Sequence, residues 1–133
     1  MKQLLIISIL VFAYLVGFNN ASAIEEKDPL IKAKGSYLND LKDGIWEEYD
    51  IQQNLIALGS YQNDLRTGTW EVFYINGSLM QKGEFIEGFQ VGYWEYYYDN
   101  GSIKAKGSWS EGKMTGFWEF FSLSGELEEV KRY

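Results

Sequence analysis

The stretch GTWEVFYINGSLMQKGEF, residues 68–85, decides the fold. Its first seven residues are rich in aromatic and β-branched side chains, and glycines bound the run too closely for a helix. Asn76-Gly77 follows, and Asn-Gly is the preferred pair for a two-residue type I′ hairpin turn because both positions take positive φ. The stretch therefore predicts a β-hairpin.

The hairpin is one copy of a repeat of 24 residues. One glycine column consists of Gly35, Gly59, Gly83 and Gly107. A tryptophan column, in which glutamate always comes next, consists of Trp46, Trp70, Trp94 and Trp118. Two aromatic columns keep the same phase, as does a second glycine column that consists of Gly44, Gly68, Gly92 and Gly116. The pattern predicts an all-β chain over 31–133, a single-layer antiparallel meander of stacked β-hairpins with about nine short strands.

A two-residue turn at 76–77 fixes the strand register. It places Trp70 opposite Gly83, and Glu71 opposite Lys82 on the other face of the sheet. A glycine inside a strand lacks a side chain to pack, and a cross-strand aromatic ring repairs that weakness. We therefore expect the indole of Trp70 to lie across Gly83.

Asn100-Gly101 repeats the Asn-Gly pair in the next unit, and the remaining connections lack it. The first unit has Gln52-Gln53 in place of Asn-Gly, and glutamine tolerates positive φ poorly, so we expect a longer or irregular turn there. Connections such as 63–67 are expected to be polar loops closed by the second glycine column. In the last unit Lys131 stands at the glycine position, within a strongly charged final strand that is typical of a terminal cap.

At these columns the sequence resembles the bacterial MORN-repeat variants. Their units run Gly-x-aromatic, an Asn-Gly or Asp-Gly loop, Gly-x-Trp-x-x-aromatic, and then Asn-Gly. The resemblance covers the chain from about residue 31 onward and implies an elongated single-layer sheet. It also implies a protein-interaction or membrane-associated scaffold, or an antitoxin-like role, since many bacterial members carry that label.

The first 23 residues have the features of a secretory signal peptide. Met1-Lys2 is a short positive start, 4–18 is an uncharged run, and Ala21-Ser22-Ala23 offers small residues for cleavage before Ile24. The run is shorter than the roughly 20 apolar residues that an uncleaved anchor needs. We predict a signal peptide at 1–23, a linker at 24–30 and a repeat domain at 31–133, in an exported protein that is periplasmic or secreted.

Composition excludes several function classes. The 133 residues carry a formal charge of −7, which argues against a nucleic-acid partner. With no His and no Cys, zinc sites, thiol catalysis and imidazole bases are excluded, and we expect no metal or cofactor. The glutamates after each Trp invite a paired-carboxylate hydrolase interpretation, but four equivalent copies do not suit an active site. We predict a protein without catalytic residues.

The aromatic residues leave two interpretations open. The Trp column is either the core of a one-layer sheet or a stacking platform for sugars or an apolar peptide. Along the Trp face, the residues two positions after each Trp change from acidic to aromatic toward the C-terminus. We therefore predict a partner surface in the C-terminal half, made of Tyr96, Tyr98, Trp109 and Phe120. A protein is the expected partner, and a glycan or cell-wall polymer is the alternative.

Overall fold

The computed structural model describes residues 31–133, which form one open antiparallel sheet and no helix. The strand order follows the sequence from first to last, so the predicted all-β hairpin meander is confirmed. The predicted signal peptide and linker lie outside the described residues. The strands are β1 (Lys32–Leu38), β2 (Leu41–Tyr49), β3 (Leu55–Gln62), β4 (Leu65–Phe73), β5 (Leu79–Ile86), β6 (Phe89–Tyr97), β7 (Ile103–Ser110), β8 (Lys113–Phe121) and β9 (Leu127–Arg132).

The predicted register is confirmed. Trp70 pairs with Gly83, and Glu71 pairs with Lys82. The equivalent positions pair in the first hairpin (β2–β3) and the third (β6–β7). In the last hairpin (β8–β9), Trp118 pairs with Lys131.

The route to that register differs from the predicted one. Of the two residues of the predicted turn, Gly77 has a positive φ (83°) and Asn76 does not. The backbone N–H of Gly77 donates to the carbonyl of Tyr74 (2.8 Å), and that of Tyr74 donates to Ser78 (2.9 Å). The type I′ prediction at 76–77 was therefore wrong, because three residues form the loop. A β-bulge at Met80 restores the predicted pairing.

Two-residue turns with two positive φ angles occur at the opposite ends of the strands. Asn63 and Asp64 have φ of 51° and 66°, and Gln62 pairs directly with Leu65. The expected polar loop at 63–67 was therefore wrong, and the same holds for the three equivalent connections. The glycines of the second column instead occupy the adjacent irregularities of the ladder, as Gly68 does with φ of 65°.

The turn of the first hairpin is a three-residue loop, longer than a two-residue turn as expected, but it is no more irregular than the loop at 75–77. Gln53 adopts φ of 70° and occupies the position of Gly77 in the next hairpin. Its backbone N–H donates to the carbonyl of Asp50 (3.0 Å), as in the glycine-containing turn. The turn therefore holds Gln53 in a backbone conformation that glutamine disfavours.

Each indole lies over the strand that precedes its own. A Cβ built on Gly83 would overlap the ring of Trp94, and one built on Gly59 would overlap that of Trp70. The indole Nε1 of Trp70 accordingly donates to the carbonyl of Ser60 (3.0 Å). The expectation that Trp70 covers Gly83 was therefore wrong, because the indole leans toward β3 and away from its Cα partner on β5.

Candidate functional site

The sheet has two faces with different chemistry. The Trp face carries the four tryptophans of the repeat, each 1–2% exposed. Aromatic residues of neighbouring strands contact them edge to face, as Phe85 does with Trp94 (ring centroids 5.2 Å apart). The outer face is the opposite one, to which the residues immediately before and after each Trp point. A single layer of strands thus buries its core on one face with its own side chains.

Tyr96 covers the Trp face in the third repeat. Its ring stacks on Trp94, with centroids 6.2 Å apart and an interplanar angle of 28°. Its hydroxyl accepts a hydrogen bond from the indole Nε1 of Trp109 (3.1 Å). Burial raises the pKa of Tyr96 to about 12. The phenol is therefore part of the packing.

The other residues of the predicted partner surface are also engaged. Trp109 is 8% exposed, and Phe120 stacks on Trp118 with centroids 6.3 Å apart. Tyr98 lies apart from this cluster, at the end of its hairpin, where its hydroxyl donates to the carbonyl of Phe121 (2.8 Å). The structure brings three of the four residues together, with Trp109 buried and Tyr96 and Phe120 half-buried. Their role as a partner surface stays a prediction.

The acidic end of the predicted gradient packs in the same way. Glu48 is 4% exposed and accepts a hydrogen bond from the hydroxyl of Tyr61 (3.0 Å). These two residues stand at the repeat positions of Tyr96 and Trp109. Arg66 forms an ion pair with Glu48 (3.5 Å) and lies over the ring of Trp70. Both ends of the gradient therefore cover tryptophans.

Exposed apolar side chains concentrate on the outer face instead. Ile45, Tyr93 and Phe117 each precede a Trp and are 71%, 55% and 68% exposed. Further exposed apolar residues flank the two-residue turns on this face: Leu38, Leu41, Leu65, Ile86 and Phe89. The predicted partner surface did not include this face, although the column before each Trp (isoleucine, threonine, tyrosine, phenylalanine) carries its signal.

The glutamates after each Trp form ion pairs on the outer face. Lys82 contacts Glu71 (2.8 Å), which confirms the predicted pair. Lys106 pairs with Glu95 in the ladder but makes its ion pair with Glu119 (2.9 Å) on its other side. Such exposed pairs contribute little stability. Across residues 31–133, no group of three or more acidic side chains is placed to hold a metal ion.

Comparison with known proteins identifies no family. No family model matches the chain, and no curated protein does either. Among the solved structures, the crystal structure of TarM matches with a TM-score of 0.49 and 12% sequence identity. The match covers 84% of this chain and 21% of that one, and at this level it carries no argument about function. Over the part of the chain that the structure describes, no helix has the length and apolarity to cross a membrane.

Proposed function

We propose that this protein is an exported, non-catalytic binding module whose outer face engages a protein partner. The observation that carries the proposal is the set of exposed apolar side chains on that face, of which Phe117 and Ile45 are the most exposed. Extensive exposure of large apolar side chains on one face of a protein often marks an interaction site. The resemblance to MORN-repeat variants agrees with a scaffold or antitoxin-like role of this type.

The chemistry of the outer face supports a protein as partner. Tyr93 and Phe117 offer large rings that lose little side-chain entropy on binding. Alternating glutamates and lysines run beside them, including the Glu71–Lys82 and Lys106–Glu119 ion pairs. An apolar centre with a polar border is the usual composition of a protein–protein interface.

The test replaces Tyr93 and Phe117 together by Ser and compares the proteins that are cross-linked to the chain in the exported fraction. Leu123→Ser is the matched control, since Leu123 is 56% exposed at a hairpin end. We expect the double variant to lose a partner that the wild type and the control retain, with unchanged circular dichroism and melting temperature. An unchanged set of proteins would contradict the proposal. Retention on cell-wall polymer without any cross-linked protein would favour the glycan alternative.

A further inference from the structure

A hollow of about 360 Å³ lies between the ends of the first and second hairpins. Its lining residues are Asn54, Leu55, Phe73, Ile75, Asn76 and Gly77. Phe73 and Leu55 are half-buried, whereas Ile75 is 73% exposed at the rim. The hollow is therefore apolar on its walls and open to solvent.

A tyrosine crosses the equivalent position in each of the next two hairpins. Tyr74 leaves the end of β4 and donates its hydroxyl to the carbonyl of Tyr97 (2.7 Å). Tyr98 repeats this contact 24 residues later, with the carbonyl of Phe121 (2.8 Å). The acceptor that corresponds to Tyr97 in the first hairpin is Phe73, which lines the hollow.

Asp50 replaces that tyrosine in the first hairpin. Its carboxylate turns back and accepts hydrogen bonds from the backbone N–H and the side-chain Nδ2 of Asn54, both at 2.8 Å. The hydrogen bond from the Asn54 side chain holds the pKa of Asp50 below its ordinary value. Both carboxylate oxygens of Asp50 therefore accept hydrogen bonds within their own turn.

The side chain of Asn76 shows a second difference between hairpins. Its Nδ2 donates to the carbonyl of Asp99 (3.2 Å), to which Ser78 also donates (2.9 Å). The corresponding acceptor for the first hairpin is the carbonyl of Ile75. Within residues 31–133, no side-chain hydrogen bond reaches the carbonyl of either Ile75 or Phe73. The hollow therefore combines an apolar wall with two backbone carbonyls. The equivalent carbonyls in the next hairpins accept hydrogen bonds from side chains.

We propose that the hollow binds a tyrosine side chain of the protein partner. The ring would pack on Leu55 and Phe73, and the phenol would donate to the carbonyl of Phe73, as Tyr74 does to its own acceptor. A phenylalanine would fill the space without using the acceptor, and the carboxylate of Asp50 nearby disfavours an anionic group. That the occupant belongs to a protein rests on the proposed function. That it carries a phenol rests on the hollow alone.

The test titrates the isotope-labelled protein with N-acetyl-tyrosinamide and follows the backbone amides by NMR. We expect shifts confined to residues near the hollow, such as Leu55, Ile75 and Gly77. N-acetyl-phenylalaninamide should bind about three- to tenfold more weakly, the factor that corresponds to one hydrogen bond. Equal binding of the two probes, or shifts elsewhere on the sheet, would overturn the proposal.

Variants at Asp50 separate a specific site from adventitious binding. Asp50→Tyr supplies the missing side chain from within the chain, so it should abolish the shifts while the protein stays folded. Asp50→Asn supplies no ring and should keep them. Probe binding that survives in a folded D50Y protein refutes the assignment, and a wild-type dimer that D50Y dissociates would assign the hollow to a second copy of this chain. The outcome is independent of the Tyr93 and Phe117 variants, so failure of either proposal is recognisable.

Discussion

Gly83→Ala should destabilise the protein through Trp94 on the following strand. The added Cβ would overlap three ring atoms of that indole, closer than real side chains approach. The ring cannot easily shift, because Phe85 contacts it edge to face and Tyr96 stacks on it. If no ring covered residue 83, the same substitution would be neutral or mildly stabilising, since alanine restricts the unfolded chain more than glycine does.

The expected cost lies at the upper end of the range for overpacking, about 3 kcal/mol. Trp94 is 1% exposed, so displacing its indole also forfeits buried apolar area. For a domain of this size, 3 kcal/mol lowers the melting temperature by about 12 °C or more. Lys131→Ala at the same repeat position is the control. No described strand lies beyond β9 to cover residue 131, so we expect a change within about 0.5 kcal/mol.

A double-mutant cycle identifies the indole responsible. Urea unfolding gives the free energies for Gly83→Ala alone and combined with Trp94→Leu or Trp70→Leu. We expect about 2 kcal/mol of coupling with Trp94, because leucine lacks the ring atoms that the added Cβ overlaps and its Cγ can rotate away. The combination with Trp70→Leu should be additive within about 0.5 kcal/mol. Coupling to Trp70 instead, or a Gly83→Ala protein as stable as the wild type, would refute the packing that we describe.

Two further predictions concern single residues. Gln53→Gly should raise the free energy of unfolding by about 1 kcal/mol, since glycine adopts the φ of 70° without the steric cost that glutamine bears, and an unchanged urea midpoint would contradict this. Tyr96→Phe should cost about 1–3 kcal/mol at neutral pH because the indole N–H of Trp109 loses its acceptor. The phenol of Tyr96 has a raised pKa in the folded state, so its contribution is fully present below pH 10 and is lost as the pH rises toward 12. The stability difference between wild type and Tyr96→Phe should therefore shrink over that interval, and a constant difference would argue against burial of the phenol.

The repeat period was sufficient to predict the strands, whereas the correct register was derived from a turn type that the structure does not contain. Asn76-Gly77 suits both a type I′ turn and a three-residue loop that ends on glycine, so local preference alone does not separate them. Glu87, by contrast, has no preference for its φ of 50°. The backbone N–H of Gly88 donates to the carbonyl of Arg66 (2.9 Å) on the preceding hairpin, so tertiary contacts support that turn.

The candidate surfaces were harder to predict, because exposure depends on the direction of each side chain. The sequence assigns Tyr96 to the Trp face correctly but does not show that its ring folds back over Trp94. Alternation assigns the residue before each Trp to the outer face, but it does not show how exposed that residue stays. In the one-layer sheet that residues 31–133 form, no second layer covers that face, and Phe117 stays exposed on it.

Because the strand order follows the sequence, whole repeats can be added or removed without disturbing the remaining strand pairs. Each strand pairs only with its neighbours along the chain. Removal of residues 59–82 would join Leu58 to Gly83, and every remaining glycine of the first column would still meet an indole. Each unit gained or lost changes the sheet by two strand spacings, about 9.6 Å. Unequal recombination between copies of the gene would thus lengthen or shorten the sheet in whole steps of one repeat.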